Sequence, residues 1–140
     1  MRQTTTTILL SAGEIDCREG IGGPLLEGYN NVDYQEHVYR TVQEYKKAVS
    51  ALATQYSLQI LVLPVAPHAH RSDRNGKATG RAFRRRVMQA WNDELRNVLP
   101  LDNGVFLLDY EKRLRHEEPT SSVGYVLNPS YNLDGTHTMS

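Results

Sequence analysis

The chain has 140 residues, 39% hydrophobic and 23% charged, a balance that excludes extended disorder and fits one soluble domain over residues 1–140. Sixteen Lys and Arg residues balance sixteen Asp and Glu, so no net field draws polyanions, which argues against nucleic acid as a partner. No apolar run approaches the roughly 18 residues of a membrane span, and the lone Cys17 allows no internal disulfide, so a cytoplasmic protein without membrane contact is expected.

Thr6 to Ser11 is β-branched and apolar and stops before Gly13, as a strand buried on both faces does. From Asp33 to Gln55, Val38, Val42, Tyr45, Val49, Leu52 and Tyr56 recur in steps of four and three, which predicts an amphipathic helix opened by an Asp33/Glu36 capping box. Gln59 to Val65 is a second apolar strand, with Pro64 at its end, where a missing N–H does least damage. Phe83, Val87, Trp91, Leu95 and Val98 mark a second helix ending before Pro100, with Phe83 and Trp91 in the core. Gly104 to Asp109 is a third strand, and Arg113 to Leu133 shows no periodicity, which predicts an irregular, substrate-facing loop.

Strand, helix, strand, helix, strand implies a parallel α/β sheet whose strand C-terminal ends share one edge, the edge where open sheets bind ligands. That edge receives Ala12 to Arg18, Ala66 to Arg71 and the chain from Tyr110 onward. Three parallel strands leave both outer edges of a sheet open. The domain is therefore expected to be incomplete at both ends, or to have those edges covered by a partner.

Two segments at this edge carry chemistry: Ser-Ala-Gly-Glu-Ile-Asp-Cys-Arg, residues 11–18, and Leu-Asp-Gly-Thr-His, residues 133–137. The first resembles the G-x-N-D block of SGNH (GDSL-type) hydrolases and the second their closing D-x-x-H block, with a compatible order of elements between them. The resemblance implies a three-layer α/β/α, flavodoxin-like fold and an ester hydrolase acting on a small-molecule or glycan ester, an acyl or acetyl group being removed. In that family a Ser in an early G-D-S loop attacks the ester, a Gly and an Asn hold the oxyanion, and the last His activates the Ser. Carried onto this chain, His137 is the general base and Asp134 its orienting carboxylate. Gly13 and Asp16 are the ends of the oxyanion turn, and Ile15 stands at the Asn position without a side-chain donor. No G-D-S block is found in the chain, so the domain is expected to be incomplete or degenerate and nearly inactive alone.

The base and carboxylate are needed together for a general reason. A neutral imidazole takes a hydroxyl proton near neutral pH when its other nitrogen is held by an acceptor. Arg18, His68 and Tyr125 are candidate substrate contacts, and Tyr110 and Tyr131 also border the irregular tail. His68 and His70 leave the second strand two apart, but no third ligand has recognisable spacing, so neither a metal nor another cofactor is expected. Arg71 to Arg86 is rich in Lys and Arg with Asp73 its one acid, which suggests a phosphate or nucleic-acid site or, more plainly, a solvated helix face. The alternative to an enzyme is a non-catalytic binding module using the same crevice.

Overall fold

The computed structural model describes residues 5–13, 34–67 and 78–131. Strand β1 is Thr6–Ser11, helix α1 Tyr34–Tyr56, β2 Leu58–Leu63, α2 Ala78–Val98 and β3 Val105–Leu107. The strands form one parallel sheet in the order β1-β2-β3, with Ile8 opposite Ile60 and Ile60 opposite Val105. β2 ends at Leu63, two residues short of the expected Val65. Pro64 cannot donate to a ladder, and the backbone of Val65 is instead bonded by a side chain of α2.

Alternation along the strands separates two faces. Ile8, Leu10, Ile60, Val62, Val105 and Leu107 join one core with Val38, Val42, Val49 and Ala53 of α1 and Val87, Met88, Trp91 and Leu95 of α2. Both helices therefore cover the same face, as two right-handed crossovers made in the same direction across a sheet require. The described residues thus form two layers of an α/β fold; a third would need a helix on the opposite face, where Leu9 is 63% exposed and Phe106 and Leu108 are also exposed.

The helical stripe runs as expected from Val38 to Val49 and then departs from it. Ala53 is buried at 2%, whereas Leu52 is 42% exposed and Tyr56 is exposed too. At 3.6 residues per turn a stripe stepping four and three drifts, and by the last turns a step of four from Val49 keeps the core-facing direction. Asn103, in the turn before β3, donates to the Ser50 carbonyl and to Ser50 Oγ and Thr54 Oγ1 at 2.9–3.0 Å, fixing this end of α1 against the sheet.

The tail expected to be irregular is partly ordered. A 3-10 turn at Glu111–Leu114 leads into β4 (Arg115–Glu117), which pairs antiparallel with β5 (Tyr125–Leu127), and a second 3-10 turn follows at Pro129–Tyr131. Val126 and Leu127 are both buried, and as consecutive strand residues they point to opposite faces, so this end of β5 is covered on both sides. Three-residue strands are too short to display a period.

Candidate functional site

The exits of all three strands are gathered by two successive residues of α2. Gly13, just past β1, has φ +109° and lies directly on the Trp91 indole; a Cβ there would stand 2.6 Å from Cε2 and Nε1 of the ring. Only glycine fits both the backbone and the contact. The Trp91 N–H has no hydrogen-bond partner among the described residues. Its neighbour Asn92 is buried and holds the exit of β2 on both sides: Val65 N donates to Oδ1, and Nδ2 donates to Val65 O, each at 2.8 Å. Asn92 Nδ2 also reaches Glu111 Oε1, just past β3, at 3.4 Å.

Glu111 is the centre of a charged network although only 1% exposed. Arg115 donates to its carboxylate through Nε and, at 2.9 Å, through Nη2. The Tyr125 hydroxyl lies 3.4 Å from Oε1, and the Arg115 guanidinium sits 3.8 Å over the Tyr125 ring. Arg96 of α2 completes the group, 3.9 Å from Glu111 and forked onto Asp109 by bonds of 2.8 and 3.0 Å. Fork geometry of this kind is strong and directional. The Arg96 hydrogen bond holds the Asp109 carboxyl below its ordinary value, and the same bond raises Arg96. Burial is the largest single influence on Arg115 and opposes its charge, but the hydrogen bond to Glu111 and the nearby negative charge together leave the guanidinium raised.

Burial first, and the Glu111 carboxylate second, push the Tyr125 phenol from 10.0 up to about 12. The folded chain therefore keeps a proton that the unfolded chain loses between these values. The stability this contributes is fully present below pH 10.0 and is lost as pH rises toward about 12. Tyr125→Phe is expected to lose less stability than wild type between about pH 9 and about pH 11, measured as the fall in the urea midpoint. Equal falls in the two proteins would exclude Tyr125 as the source.

Val65, Pro67, Arg85, Asn92, Glu111 and Tyr125 surround a cleft of about 10 Å³ at the exit of β2, room for about one water. Of the residues singled out in the sequence, Gly13 and Tyr125 are thus brought to this edge of the sheet. Tyr125 is occupied by Glu111 and Arg115 as well as lining the cleft. Ile15, Asp16, Arg18, His68, Asp134 and His137 lie outside the described residues. Of the basic stretch Arg71 to Arg86, Arg85 is 9% exposed, so a uniformly solvated helix face is not what forms there. Among the described residues, no three His, Cys, Asp or Glu side chains are grouped to hold a metal ion, and no helix is long and apolar enough to cross a membrane.

Sequence reasoning missed Asn92, Arg96, Asp109, Glu111 and Arg115. The one local signal was the spacing of Glu111 and Arg115, four apart as in a helical ion pair. Asn92 gives no such signal, since its partners Val65 and Glu111 are 27 and 19 residues away.

Comparison of the chain with protein-family models, with curated proteins and with solved structures found no match. The class defined by the molecule itself is an α/β domain with a three-stranded parallel sheet and, at the exit of β2, a water-sized cleft that Asn92, Glu111 and Tyr125 help to line.

Proposed function

We propose that the chain is an SGNH-type ester hydrolase domain that works on an acyl or acetyl ester at the carboxyl edge of its sheet. In this reading His137 is the general base, Asp134 holds its ring, the turn from Gly13 to Asp16 shapes the oxyanion site, and Arg18, His68 and Tyr125 meet the substrate. In the family's reaction His137 would deprotonate the serine of a G-D-S block; these 140 residues contain no such block, so this chain alone is expected to be nearly inactive. Ile15, at the position of a missing donor, lowers the rate by roughly a hundred- to a thousand-fold. The three-layer, flavodoxin-like form belongs to the same reading, supported by the exposed Leu9, Phe106 and Leu108 on the uncovered face.

The observation that carries the proposal is the convergence on Trp91 and Asn92. These neighbours tie Gly13 at the start of the candidate oxyanion turn to Val65 and Glu111, and Glu111 ties in Tyr125 on the hairpin that precedes Asp134. The contacts hold separate strand exits in a fixed relation to one another, which positioning of reacting groups demands.

Purified chain is expected to turn over p-nitrophenyl acetate slowly and to lose that turnover in His137→Ala and in Asp134→Asn. Turnover that survives both substitutions would overturn these roles. The second reading, a non-catalytic module holding its ligand in the same crevice, is favoured by Ile15 and would be indicated by ligand binding with no turnover at all. A phosphate or nucleic-acid site along Arg71 to Arg86 is weakened by the burial of Arg85.

A further inference from the structure

The two edges of the parallel sheet are finished differently. β3 is three residues long, and Leu101, in the chain before it, bridges its outer side, donating from N to Val105 O at 2.8 Å. β1 is six residues of Thr, Ile, Leu and Ser without a charge, Pro or Gly, and its register with β2 runs unbroken over all six, so it carries no bulge. An edge with none of these interruptions is open to pairing with another strand. Among the described residues, no strand lies along the outer side of β1.

The ladders fix which backbone groups β1 presents there. Ile60 N donates to Gly104 O, and Val62 O accepts from Leu108 N, so the even-numbered residues of β2 turn their N–H and C=O toward β3. Its odd-numbered residues therefore face β1. With Leu9 opposite Leu61, parallel geometry makes Ile8 O and Leu10 N the partners of Leu61. Thr7, Leu9 and Ser11 consequently point their N–H and C=O outward, and all three are exposed. On the core side Ile8 and Leu10 are only half-buried, whereas Ile60 and Val62 beside them are fully buried.

The strand complements itself. Two identical strands related by a two-fold axis pair antiparallel, with facing side chains on the same side of the sheet. Centred on Leu9, Leu9 meets Leu9, Ile8 meets Leu10 and Thr7 meets Ser11, so apolar groups meet apolar groups and hydroxyls meet hydroxyls. Centring on Ile8 would set Thr7 against Leu9, and centring on Leu10 would set Leu9 against Ser11. In the Leu9 register the outward residues of one strand face those of the other, and each facing pair can exchange both N–H···O=C bonds. With no charge on the strand and a net charge of zero on the chain, two copies approach without repulsion.

We infer that the chain forms a two-fold dimer through β1, the two three-stranded sheets joining antiparallel at Leu9 into one continuous sheet. The inference is independent of the hydrolase reading, because it uses the side edge of the sheet and none of the residues assigned to ester chemistry.

The test is sedimentation velocity of the full chain from about 5 to about 300 μM, which brackets a reversible contact of micromolar affinity. A monomer–dimer equilibrium is expected. Over the same range, hydrogen exchange at the Thr7, Leu9 and Ser11 amides should slow about five-fold, and more than at Ile8 and Leu10, whose N–H groups already bond β2. Leu9→Lys and Leu9→Glu change an exposed side chain and set like charges opposite each other across the axis. Each is expected to be monomeric with unchanged circular dichroism, and an equimolar mixture of the two to associate again. A wild-type chain that stays monomeric, with no change in exchange along β1, would overturn the inference. A dimer that survives both substitutions lies on another surface and also overturns it, and a mixture that remains monomeric denies the contact of Leu9 with Leu9.

Discussion

Glu111→Ala is expected to destabilise the fold by about 3–5 kcal/mol, the usual result of removing one partner from a buried ion pair. The substitution strips Arg115 of both its hydrogen bonds, deprives Asn92 and Tyr125 of their shared acceptor and removes one of the two carboxylates that Arg96 faces beyond α2's own Asp93. A domain of this size has only about 5–15 kcal/mol in total, so the urea midpoint should fall by a large fraction with little change in slope. Adding Arg115→Met to the variant should recover part of the loss, because the stranded guanidinium is then gone as well. A loss under about 1 kcal/mol would mean that water replaces the carboxylate, and the network would then be a surface feature of little weight.

Gly13→Ala is the second large effect, expected to cost about 2–4 kcal/mol from an overpacked ring together with a strained backbone. At φ +109° an L side chain is disfavoured, and its Cβ would overlap three atoms of the Trp91 ring at 2.6–2.7 Å. The ring has little room to retreat, being 1% exposed and packed against Tyr45 with centroids 6.1 Å apart. Pairing Gly13→Ala with Trp91→Leu separates the two contributions. The smaller side chain should relieve the overlap and leave the backbone strain, giving a coupling of at least about 0.5 kcal/mol in a double-mutant cycle. Additive losses would show that the ring contact carries nothing. Because Gly13 opens the candidate oxyanion turn, the same variant should also lose whatever ester turnover the chain has.

The consequences of these two substitutions differ in how far they were legible beforehand. Gly13 stands out in the sequence as the residue ending an apolar run, and its need for backbone freedom follows from that position. That its α-carbon rests on Trp91 does not, because 78 positions of chain separate them. Glu111 looked like one more charge in a polar tail. Its burial depends on the hairpin of β4 and β5 folding back over the exit of β3, a contact that no local pattern announces. The basic run at Arg84 to Arg86 divides for the same reason: one of three adjacent arginines is turned inward by helix geometry, while its neighbours remain partly or fully exposed.

By itself, the sequence determined where the main strands and helices lie, since periods of two and 3.6 are properties of the local backbone and are written in which side chains are apolar. It located β1 at Thr6 to Ser11 and gave α1 its core-facing stripe as far as Val49, and it put Phe83 and Trp91 on the inner side of α2. Only the tertiary structure decided that both helices share one face of the sheet, that Ala53 rather than Leu52 continues the stripe, and that Trp91 and Asn92 bind three strand exits together. Those outcomes depend on the strand order and on contacts between residues far apart in the chain, where no spacing rule relates one partner to the other.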